Sequence, residues 1–177
     1  INITANNDLT SNEFVTVNAR GTTVPSGSTF TKGVIDVDVA NNATIDGIWQ
    51  VGGRQFVSGG GGLIDMTAGN NLTVDSTAVL AASVTTDPGT YTGDGGRIDL
   101  TSTNGDVTIN GGSTVIGGVQ RGLIDFSSGT TGDGGMLNVT ASNGNITFNN
   151  ANLDGSGAGF GGTISAIASS NLNVDAL

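Results

Sequence analysis

The chain has 177 residues, of which 31 are glycine and two are proline, with 36% apolar, 5% aromatic and 11% charged residues. Fifteen acidic side chains against five basic ones give a net charge of −10, which repels phosphate backbones and anionic lipid and excludes nucleic acid as an expected partner. Cysteine and histidine are both absent, so disulfides, thiol nucleophiles, zinc sites of the usual kind and histidine general bases are excluded too.

The apolar residues are mostly Ile, Val and Leu in short alternating runs, a strand pattern that flexible linkers do not show. The first run is Ile1-Asn2-Ile3-Thr4-Ala5, which opens a less regular stretch over residues 1–32. The same strand then returns behind a glycine, as Gly33-Val34-Ile35-Asp36-Val37-Asp38-Val39 and as Gly62-Leu63-Ile64-Asp65-Met66-Thr67-Ala68. It recurs as Gly96-Arg97-Ile98-Asp99-Leu100-Thr101-Ser102, Gly135-Met136-Leu137-Asn138-Val139-Thr140-Ala141 and Gly162-Thr163-Ile164-Ser165-Ala166-Ile167-Ala168. In each copy apolar and polar residues alternate, which predicts Ile64 and Met66 pointing inward and Asp65 and Thr67 outward.

An Asn- and Gly-rich turn follows each copy, and then a second alternating run: Ala43-Thr44-Ile45, Leu72-Thr73-Val74, Val107-Thr108-Ile109, Ile146-Thr147-Phe148 and Leu172-Asn173-Val174. A third, less regular run is expected at Ile48-Trp49-Gln50-Val51, Ala78-Val79-Leu80 and Thr114-Val115-Ile116, ahead of glycine-rich loops into the next copy. The leading apolar residue falls at 1, 35, 64, 98, 137 and 164, a spacing of about 27 to about 39 residues that solenoids use.

No helical 3.6-residue period and no leucine-rich framework accompanies this repeat, and an antiparallel sandwich would not return one strand with one inward column. The sequence therefore predicts a single all-β domain over residues 1–177: a right-handed parallel β-helix (β-solenoid) of about five to six coils with three short faces per coil. Stacking at ~4.8 Å turns each repeat position into a column. Ile1, Ile35, Ile64, Ile98, Leu137 and Ile164 form one inward column, and Ile3, Val37, Met66, Leu100, Val139 and Ala166 the next. Asp8, Asn42, Asn71, Asp106, Asn145 and Asn171 precede the second strand in every copy and read as a corner ladder. The pairs Gly61-Gly62, Gly95-Gly96, Gly134-Gly135 and Gly161-Gly162 read as turns that need close backbone approach.

Few residues suggest chemistry. Asp36, Asp65 and Asp99 share an outward column, but Asn2, Asn138 and Ser165 continue it periodically, whereas an active site breaks a repeat. The basic residues Arg20, Lys32, Arg54, Arg97 and Arg121 are scattered, so no enzyme is expected and no catalytic, cofactor-binding or metal residue is assigned. Calcium is an open candidate for Asp36, Asp65 and Asp99, where stacked carboxylates repel, and for Asp94 and Asp133 in the two Gly-Asp-Gly-Gly loops. The calcium nonapeptide G-G-x-G-x-D-x-U-x is not present. Thr67, Thr101 and Thr140 share a column that invites comparison with an ice-binding face, though its neighbours are irregular and acidic. Trp49, Phe56 and Tyr91 are candidate sugar-stacking aromatics, with local packing as their simpler role.

Gly-Asp-Gly-Gly-Arg-Ile-Asp-Leu-Thr-Ser at 93–102 followed by Asn-Gly-Asp-Val-Thr-Ile-Asn-Gly-Gly-Ser at 104–113 resembles the repeat region of filamentous-haemagglutinin-like exoproteins, as do residues 132–141 with 143–148. The resemblance covers roughly residues 33–175, without the family's N-terminal secretion domain. It implies a right-handed parallel β-helix exported across a bacterial outer membrane by a partner pore, with roles in adhesion, aggregation or surface coating. The expectation is an extracellular or cell-surface structural or adhesive solenoid that does not insert into membranes. It is expected to meet itself end to end through uncapped coils, with cell-surface glycans or another surface protein as further partners. A polysaccharide-binding or polysaccharide-cleaving β-helix is the alternative.

Overall fold

A computed structural model describes residues 1–21, 32–53, 60–83, 93–112, 115–116 and 119–175. It is all-β, and three parallel sheets enclose one apolar interior. The first sheet has six strands, Asn2–Ala5, Val34–Val39, Leu63–Ala68, Arg97–Ser102, Met136–Ala141 and Thr163–Ala168, stacked in chain order. The second also has six, Leu9–Thr10, Ala43–Ile45, Leu72–Val74, Val107–Asn110, Ile146–Asn149 and Leu172–Val174. The third has five, Thr16–Gly21, Ile48–Gly53, Val79–Ala81, Leu123–Asp125 and Asn152–Asp154. One strand from each sheet makes a coil: among the described residues five coils have all three faces, and the sixth supplies strands to the first two sheets only, in line with the five to six coils that the repeat predicts. No described helix is long and apolar enough to cross a membrane.

Register follows the expected columns. Ile35 lies opposite Ile64, Ile64 opposite Ile98, Ile98 opposite Leu137 and Leu137 opposite Ile164. Val37, Met66, Leu100, Val139 and Ala166 form the neighbouring column. Alternation alone explains why this set faces inward: a slip of one residue would send every aliphatic side chain to solvent. Ile35, Ile64, Ile98 and Leu137 are 0% exposed, and each fully buried side chain of this kind contributes about 1.5–3 kcal/mol.

The third column of the first sheet narrows to Val39, Ala68, Ser102, Ala141 and Ala168, because the chain turns there. Ser102 is fully buried, and its hydroxyl is satisfied: Oγ donates to the Asn70 carbonyl and accepts from the Gly105 amide at 3.1 Å. Trp49 and Phe126 supply the largest buried side chains from the third-sheet side.

One expected strand is misplaced. Val115–Ile116 pairs antiparallel with Val119–Gln120, forming a hairpin outside the coil wall instead of a third-sheet strand. Leu123–Asp125 takes the third-sheet position, with Ile124 opposite Leu80 on one side and Leu153 on the other. The chain leaves the wall at Gly112 and returns at Gly122, whose φ of +68° no β-branched residue would tolerate. The coil therefore absorbs a corner insertion without a change in its inward columns.

Candidate functional site

Three surfaces are candidates: the outer face of the first sheet, the corners that link coils, and the groove along the corner between the third and first sheets. On the first, strand register brings Asp36, Asp65 and Asp99 into one outward column, continued by Asn2, Asn138 and Ser165. Asp99 is already engaged: Arg97 Nε lies 2.7 Å from its Oδ2 and donates to its Oδ1 at 2.8 Å, and Asn138 Nδ2 donates to Oδ1 at 2.7 Å. The Arg97 side chain is 58% exposed, so this ion pair contributes little to stability.

Asp65 sits between two carboxylates. Partial burial, then Asp99, then Asp36 push its pKa above the usual carboxylate value, and Arg97 only partly offsets them. A raised folded-state pKa favours the protonated folded protein, so the penalty is full at neutral pH and disappears as the pH falls through the raised value. The melting-temperature gap between the wild type and a variant lacking this carboxylate is therefore expected to be widest at neutral pH and to close as the pH falls through the raised value. Asp65→Asn should raise the neutral-pH melting temperature, by an amount worth up to ~1 kcal/mol after solvent screening, and flatten this part of the profile. Paired thermal melts of the two proteins across that range provide the check, and an unchanged profile in the variant would remove Asp65 as its source.

Among the described residues, no three carboxylates group as a metal-holding cluster. Asp94 and Asp133 each accept a backbone hydrogen bond from a neighbouring loop. Asp94 Oδ1 accepts the Asp133 amide at 3.0 Å, and Asp133 Oδ1 accepts the Phe160 amide at 2.8 Å. Each loop carboxylate thus holds the backbone of the loop above it.

The corner ladder is the most regular polar feature. Asp8 Oδ1 accepts from the Asn42 amide and side chain at 3.0 and 3.1 Å, and Asn42 Oδ1 accepts from the Asn71 amide and side chain at 3.3 and 3.1 Å. Asn71 Oδ1 then accepts the Asp106 amide at 3.0 Å. Asp106 Oδ1 accepts from Asn145 at 2.7 and 3.0 Å, and Asn145 Oδ1 accepts from Asn171 at 3.1 and 2.9 Å. Every donor belongs to the later coil and every acceptor to the earlier one, so the ladder has a direction. Asn145→Ala removes one donor and an acceptor serving two N–H groups, and is expected to cost about 1–2 kcal/mol in urea unfolding. Asn145→Asp keeps the acceptor but stacks a carboxylate on Asp106, so its loss should shrink in high salt while that of Asn145→Ala does not.

The groove along the third-to-first corner spans several coils and is lined by Lys32, Val34, Leu63, Arg97 and Met136, with paired glycines beneath. Its glycines are pressed by neighbouring coils on both sides: a methyl on Gly96 would overlap the carbonyl oxygens of Ala82 and Gly62 below it, and one on Gly95 would meet the Gly135 amide nitrogen above.

The remaining sequence candidates are dispersed. Trp49 is buried, with Nε1–H donating to the Asp46 carbonyl at 2.8 Å, so it packs the core instead of presenting a sugar platform. Phe56, Tyr91 and Arg54 lie outside the described residues. Thr67, Thr101 and Thr140 share the expected column, which Asp38 and Ile167 interrupt on either side. A longer threonine column lies on the second sheet: Thr10, Thr44, Thr73, Thr108 and Thr147. The central residue of each second run was its signal. Arg121 is 6% exposed, and its Nε and Nη1 have no hydrogen-bond partner among the described residues. Compared with known protein families, curated proteins and solved structures, the chain finds no match in any of the three.

Proposed function

We propose that this chain is an extracellular structural or adhesive β-solenoid, stacking end to end into a surface filament or forming part of a long adhesin. One observation carries this reading. The inward columns run through six coils at constant register, so each coil is a template for the next and the stack can lengthen without any change of design.

The distribution of charge supports axial over lateral growth. The outer face carries Asp36 and Asp38 exposed to solvent, and a net charge of −10 keeps parallel rods apart. Along the axis, by contrast, each coil meets the next through an aliphatic column and a parallel ladder, as Ile98 meets Leu137. The ladder adds polarity: Asn171 donates downward to Asn145, so a coil added above it meets an amide oxygen and must bring a donor. Export to a bacterial surface by the two-partner route, as in filamentous-haemagglutinin-like exoproteins, belongs to the same proposal and rests on the repeat resemblance.

Negative-stain electron microscopy of native source material and of the purified chain tests the reading. Thin rods or fibres, with a ~4.8 Å axial reflection in aligned samples, are the expected result. Compact particles in both preparations would overturn it.

A further inference from the structure

We draw no further inference here: the strongest candidate, the groove along the corner between the third and first sheets lined by Lys32, Val34, Leu63, Arg97 and Met136, carries none because nothing in the structure shows what covers it.

Discussion

Replacing Trp49 by alanine is expected to lower the unfolding free energy by about 3–5 kcal/mol, a large share of what a domain of this size has in total. Trp49 is the single tryptophan of the chain and heads its largest fully buried side chains. It lies in the third sheet between Val17 below and Leu80 above, so its indole fills a layer that only aliphatic residues occupy in those two coils. Truncation removes that volume where neighbouring coils are tied by parallel ladders on both sides, and a rigid wall cannot collapse to refill it. The variant also leaves the Asp46 carbonyl without the indole N–H. Urea unfolding followed by circular dichroism measures the loss without relying on the deleted fluorophore. Trp49→Phe keeps most of the volume and should recover more than half of the stability; equal losses in the two variants would mean that the hydrogen bond, and not the filled layer, carries the effect.

The sequence disclosed the first two faces because their columns repeat in identity as well as in spacing. Ile35, Ile64 and Ile98 follow a glycine and one outward residue each time, and the Asn or Asp of the corner ladder always stands immediately before the second strand. The third face was legible only in part. Its strands share few identities, and the hairpin residues Val115 and Ile116 look as strand-like as the residues that replace them. Gly122-Leu123-Ile124-Asp125 repeats the tetrapeptide Gly62-Leu63-Ile64-Asp65, yet the first lies in the third sheet and the second in the first. Local alternation fixes which side chain faces inward, but not which wall of the coil a strand joins. That is decided by the corner before it and by the strand below it, both non-local.

Function was less legible for a related reason. The outward residues of a solenoid satisfy the strand first: threonine suits an exposed pleated surface, and asparagine suits a corner, whatever the surface binds. The loop aspartates show the same ambiguity. Asp94 and Asp133 have the composition of a cation site, and the structure adds the hydrogen bonding of a structural clip, which no local sequence pattern announces because the Asp133 and Phe160 amides come from other loops. Trp49 reads in the sequence as an aromatic near a glycine-rich loop, while its register with Leu80 places it inside.

Gly135→Ala is expected to be as damaging as the loss of Trp49, by on the order of 3 kcal/mol or more, although it adds a single methyl group. The added carbon would fall on the carbonyl oxygen of Gly96, with the Gly96 amide nitrogen and the Gly95 carbonyl carbon also within contact distance. All of these are backbone atoms, so no side-chain rotation relieves the overlap. The Gly96 carbonyl is also in use, since it accepts the Met136 amide at 2.9 Å. Moving it away would break the first rung between the fourth and fifth strands of the first sheet and pull on Leu137, which is fully buried. Coils must therefore separate locally or the turn must open, and either exposes inward columns. Gly161→Ala is the matched control from the same run of glycine pairs, because a methyl there meets no atom within 4 Å. That variant should fold with nearly wild-type stability, or gain a few tenths of a kcal/mol from a less flexible unfolded chain. A urea midpoint that falls sharply for Gly135→Ala alone would locate the requirement in coil-to-coil approach. Equal midpoints for the two variants would mean that the first-sheet corner has room the structure does not show, and that the glycine column serves flexibility instead of packing.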